Sequence, residues 1–199
     1  MKKFLALLTV LIYFASCADK DDEQTTQAVC DTTNSEFKQV YTAFSSAPTA
    51  HAEVTMDTEI HSYTFFVSSP KTICSFGYQS AHADPTVPYL IEIVNNVTSA
   101  VVYSGSHIFS TTATSYVSLT TTVNLQANIS YTIRRIQTNW GTDIGNTIGR
   151  LSWSYDSSGD VDLLPLTSGD LTITSAYFDA FGMGQLYNML PYIDIVFES

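Results

Sequence analysis

From residue 52 onward, apolar and polar residues alternate in short runs rich in Thr, Val, Ile and Tyr, broken at close intervals by Gly, Asn, Asp, Ser and Pro. Such runs predict strands near residues 52–68, 71–79, 88–95, 100–104, 114–125, 129–137, 147–155, 170–177 and 191–198. The clearest are YVSLTTTVNL, with Val117, Leu119, Val123 and Leu125 on one face, and YIDIVFE, with Ile193, Ile195 and Phe197 together. Ahead of them, SEFKQVYTAF sets Phe37, Val40, Tyr41 and Phe44 at the spacing of one helical face. Ser35 is placed to cap that helix and Pro48 to stop it. So many short strands in one domain predict an all-β, jelly-roll-like β-sandwich, with a short N-terminal helix after a disordered tether.

The stretch HAEVTMDTEIH puts every ionisable side chain on an odd position: His51, Glu53, Asp57, Glu59 and His61. A period of two separates this polar row from Ala52, Val54, Met56 and Ile60, so an amphipathic strand with a solvated face explains it. Same-face neighbours sit roughly 6.5–7 Å apart, which would let Glu59 and His61 share a cation given a third ligand. The simple strand, without metal, is the expectation.

The succession TICSFGYQS, YLIEIVN, LQANISYTIRR and YIDIVF resembles a family of uncharacterised bacterial jelly-roll domains. Its members close on an aromatic-x-Asp-x-Val-Phe strand and are often attached to secreted, carbohydrate-related proteins. The likeness spans most of residues 59–198. It implies the jelly-roll fold and carbohydrate as a ligand class, through strand patterns rather than catalytic signatures.

The chain opens MKKFLALLTVLIYFASC, where Lys2 and Lys3 precede an apolar run from Phe4 to Phe14. That run is too short to span a bilayer and suits a secretory signal. Ala15 and Ser16 directly before Cys17 resemble a bacterial lipoprotein signal, in which the cysteine is lipidated and begins the mature chain; Phe14 stands where that family usually has Leu. The segment ADKDDEQTTQA has no bulky apolar residue and reads as a tether. Its Asp19, Asp21, Asp22 and Glu23 resemble the surface-transport signal of Bacteroidetes-type lipoproteins, although a plain solvated linker has the same composition. The expected organisation is a signal peptide over 1–16, a lipidated tether over 17–36 and a sandwich domain over 37–199, at the outer membrane or cell surface.

The net charge of −11 becomes −13 when Lys2 and Lys3 leave with the signal. Such a chain repels nucleic acid and anionic membranes, so its expected membrane contact is through lipid on Cys17 alone. With Cys17 so used, Cys30 and Cys74 remain as a candidate disulfide in an oxidising compartment. Cys74, in TICSFGY, equally suits a small buried hydrophobe.

Candidate chemistry is sparse. No Gly-x-Ser-x-Gly elbow, phosphate loop, Cys-x-x-Cys pattern or dinucleotide fingerprint occurs, and His107 in YSGSHIF reads as a turn or strand-face histidine. Glu92 and Asp194 each interrupt an apolar strand. Glycoside hydrolysis would need such carboxylates paired, but ion pairs to Arg134, Arg135 or Arg150 are the expected use. Asp156, Asp160 and Asp162 in YDSSGDVD suit calcium or, more simply, a hairpin turn. Trp140, in the Gly- and Asn-rich loop QTNWGTDIGNTIGR with Asn139 and Asp143 beside it, offers a flat apolar platform next to hydrogen-bonding groups, as sugars require; the same loop could fold Trp140 over the sandwich end. Trp153, in GRLSWSY, is expected in the core. The sequence thus points to a non-catalytic, cofactor-free binding domain with glycan as ligand class. A structural or adhesive protein-contact role is the alternative, and a glycoside-active enzyme a weaker one.

Overall fold

Helix α1 (Glu36–Ser45) forms where the spacing places it. Ser35 caps it, its Oγ accepting from the Lys38 N–H at 3.1 Å, and Phe37, Val40 and Phe44 are fully buried. The computed structural model of the chain describes residues 29–56, 59–80, 84, 86–138, 148–178 and 184–199. The signal segment, Cys17 and the acidic run lie outside the described residues.

Among the described residues thirteen strands follow: β1 (Ala50–Met56), β2 (Ile60–Val67), β3 (Lys71–Tyr78), β4 (Tyr89–Asn95), β5 (Val101–His107), β6 (Ser115–Leu125), β7 (Tyr131–Gln137), β8 (Ile148–Asp156), β9 (Gly159–Asp160), β10 (Leu166–Ser168), β11 (Leu171–Phe178), β12 (Met189–Pro191) and β13 (Asp194–Phe197). One layer runs β10-β11-β2-β7-β4-β5. The other consists of β1-β8-β12 and β13-β3-β6, joined because β12 and β13 are successive parts of one C-terminal run that pairs first with β8 and then with β3. The first eight strands therefore divide as in a jelly roll, with β1, β8, β3 and β6 in one layer and β2, β7, β4 and β5 in the other. The later strands extend that plan: β10 and β11 lie beside β2, and β12–β13 fill the place between β8 and β3.

The core lies between the layers, where Tyr78 of β3 meets Tyr89 of β4 with ring centroids 5.3 Å apart and Phe76 meets Tyr103 of β5 at 5.2 Å. α1 closes one side, touching β10 and β11 of one layer and β1, β8 and β13 of the other. It covers the second face of β13, which is why Asp194, Ile195, Val196 and Phe197 are all buried rather than alternating.

Three sequence expectations change. The strand expected over 52–68 is two strands in different layers, and the crossing between Met56 and Ile60 reverses which parity faces inward. His51 is thus exposed, whereas His61 shares the buried face of β2 with Tyr63, Phe65 and Val67, edge-on to Phe178 at 4.8 Å. Burial and the nearby Arg135 charge hold the His61 pKa well below its ordinary value. Asp57 and the side chains of Glu53, Val54 and Met56 lie outside the described residues. Second, residues 29–36, assigned to the tether, belong to the domain: Val29 exchanges backbone hydrogen bonds with Ser199, and a disulfide joins Cys30 to Cys74. Third, β9 and β10 carry no alternating signal long enough to expect, being two and three residues long.

Candidate functional site

The alternation of β8 reads apolar at Leu151, Trp153 and Tyr155 and polar at Arg150, Ser152 and Ser154. The apolar set is graded along the strand: Leu151 is buried in the core, Trp153 is half-buried against it and Tyr155 is 37% exposed, while on the other face Ser152 and Ser154 are fully buried as well. Two local bonds make burial of the serines inexpensive. Ser154 Oγ meets Thr49 Oγ1 at 2.8 Å and Ser152 Oγ donates to the His51 carbonyl at 3.4 Å, so the buried hydroxyls are satisfied beside the equally buried Leu190.

Toward the end of β8, Trp153 and Tyr155 are therefore partly displayed at the surface. His51 of β1 and Met189 of β12 both register with Trp153, and paired residues of antiparallel strands share a face. His51 stacks on Tyr155 at 4.2 Å and Trp153 lies 5.0 Å from Tyr155, while Tyr187, just before β12, is 41% exposed. The Trp153 indole N–H donates to Asp160 Oδ1 at 3.3 Å, which fixes the ring and leaves the other Asp160 oxygen at the edge of the platform. The result is a row of aromatic faces bordered by polar groups, on three paired strands rather than on loops. Trp153 packs against the core as expected but is only half-buried, so part of the indole reaches the surface. The signal that could have found it was the serine pair flanking it, because small polar residues suit a tightly covered face.

Against known proteins, the chain matches no family model and no curated sequence.

Trp140, Asn139 and Asp143 lie outside the described residues. Asp156 Oδ1 accepts from the Ser158 N–H at 2.7 Å and hydroxyl at 2.5 Å, tightening the turn at Gly159, whose φ of 125° suits glycine. Those bonds hold the Asp156 pKa below its ordinary value. Asp160 is engaged by Trp153 and Asp162 is exposed, and among the described residues no three His, Cys, Asp or Glu side chains are gathered to hold an ion. Glu92 pairs with Arg134 at 3.0 Å. Asp194 takes hydroxyls instead of an arginine, accepting from Ser35 at 2.6 Å and Tyr116 at 2.7 Å. The two carboxylates sit in different layers, so the sandwich does not bring them to one cleft.

Proposed function

We propose that the protein is a lipid-anchored outer-membrane or cell-surface lipoprotein whose sandwich domain binds extracellular glycan without catalysis. The observation that supports the glycan reading is the platform of Trp153, Tyr155 and His51 with Asp160 at its edge. A pyranose offers an apolar C–H face and a ring of hydroxyls, and a partly exposed aromatic surface beside fixed hydrogen-bonding groups complements both. Strand-borne side chains already ordered by mutual stacking lose little entropy on binding.

A glycan array probed with the full-length protein in detergent is expected to give a restricted set of hits. Tyr155→Ala should weaken them by about tenfold or more, the loss expected for one stacked aromatic, with little change in melting temperature because Tyr155 is a surface residue. A protein-contact role is the second reading, favoured by Val97, Val101 and Val102, which stand exposed on and beside β5, the last strand of its layer. A blank array would move the weight to it.

The anchor reading rests on the leader, the small residues before Cys17 and the acidic run behind it. Cys17→Ala is expected to move the protein from the detergent phase to the aqueous phase on partitioning, since each buried lipid methylene contributes about 0.8 kcal/mol. Among the described residues no helix is long and apolar enough to cross a membrane. Retention of the variant in the detergent phase would remove the lipoprotein reading.

A further inference from the structure

The opposite face of β8 borders a second feature. A groove of about 650 Å³ lies alongside α1, lined among others by Asn34, Lys38, Tyr41, Thr42, Arg150 and Tyr192. In a chain of net charge −11, its lining includes no Asp or Glu. Lys71 is held by Glu36 and Asp170, and Arg134 by Glu92, whereas among the described residues neither Lys38 nor Arg150 has a carboxylate within ion-pair distance.

Both cations are nonetheless held in place. Lys38 Nζ donates to the Thr32 carbonyl at 2.6 Å and lies 5.1 Å from the Tyr116 ring centre. The Arg150 guanidinium lies 5.0 Å from the Tyr192 ring centre and donates to Thr114 Oγ1 at 3.1 Å. An ammonium has three donors and a guanidinium five, so these contacts orient the two groups without exhausting them. Tyr41 and Tyr192 meet edge-on at 4.9 Å and form an aromatic wall. Burial pushes the Tyr41 hydroxyl up to about 12. Asn34 and Thr42 add neutral polar groups; Asp194, buried with its oxygens on Ser35 and Tyr116, does not line the groove, although the Lys38 charge reaches it.

We propose that this groove binds a hydroxylated carboxylate, the chemistry of an acidic sugar residue or a polyhydroxy acid, with Lys38 and Arg150 on the carboxylate and Tyr41, Asn34 and Thr42 on the hydroxyls. A guanidinium fork matches a planar carboxylate with two parallel hydrogen bonds, and the aromatic wall suits a carbon skeleton rather than a bare inorganic anion. The site is separate from the aromatic platform and does not depend on it.

The test is calorimetric titration of the full-length protein in detergent with galacturonate, gluconate, galactose and sulfate. Saturable binding of galacturonate or gluconate is expected, with galactose and sulfate at least about tenfold weaker. Binding of galacturonate alone assigns an acidic sugar, and binding of both assigns the open-chain acid as well. Lys38→Gln and Arg150→Gln should each weaken binding by about tenfold or more. Because Arg150 also packs on Tyr192, the half-buried Lys38→Gln variant, checked for an unchanged melting temperature, carries the comparison if Arg150→Gln unfolds. No binding of either acid, equal binding of sulfate, or acid binding indifferent to Lys38→Gln overturns the proposal.

Discussion

Asp194→Ala is expected to destabilise the protein by about 2–4 kcal/mol, because it strands the buried Ser35 hydroxyl at about 1–3 kcal/mol and removes the partner of the half-buried Tyr116 hydroxyl at about 1 kcal/mol. Asp194 is fully buried on β13 and accepts from Ser35, the cap of α1, and from Tyr116 of β6. One carboxylate thus ties the helix start, the C-terminal run and the edge strand of the second layer together. Denaturant unfolding should show the loss as a lower midpoint with an unchanged slope. Asp194→Asn keeps the shape and one acceptor and should cost less. Burial raises the Asp194 pKa above its ordinary value, so the folded state carries an increasing penalty as the group ionises above about pH 4. Asparagine never ionises. The cost of Asp194→Asn should therefore shrink as pH rises from about 3 to 7, and a cost that grew over that range would mean the folded state prefers the ionised form.

Removing the disulfide with Cys30→Ser and Cys74→Ser is expected to cost about 4 kcal/mol in the chain-entropy treatment of a loop of this size. The bond spans 44 residues and ties the segment before α1 to the middle of β3. Beside the bond, Cys30 forms a β-bridge with Glu198, and Val29 and Ser199 exchange backbone hydrogen bonds, so the segment before α1 is also tied to β13 and its continuation. Chemical denaturation with and without reductant checks this. Wild type under reducing conditions should fall to the stability of the double-serine variant, and equal stability in both states would show that the unfolded chain gains little from losing the crosslink.

How far the sequence reaches can be judged strand by strand. β3, β4, β7 and β11 were legible because each is flanked by turn residues and carries β-branched or aromatic side chains. The faces of β6 were legible too, since Val117, Leu119, Val123 and Leu125 all pack on the core. α1 was legible because three of its four spaced apolar residues are fully buried. The crossing between β1 and β2 was hidden, because a change of layer between two strands of similar alternation leaves no mark in a period of two. The inward serines of β8 were hidden for a related reason. Hydropathy assigns the larger apolar residues to the core, which holds for Leu151, but Ser152 and Ser154 are buried too, beside Leu190, because neighbouring groups satisfy their hydroxyls. The platform at Trp153 and the groove at Arg150 lie on opposite faces of β8, and neither could be read from composition.

The most direct measurement of the central claim is the fluorescence of Trp153 during titration with the best glycan from the array. The chain has two tryptophans, so a Trp140→Phe background leaves Trp153 as the reporter. Stacking of a sugar on the platform is expected to shift its emission saturably, with the same midpoint as binding measured by calorimetry, and Tyr155→Ala should weaken both together. Glycan binding with no change at Trp153, or an array without hits, would contradict the assignment of this face as the glycan site.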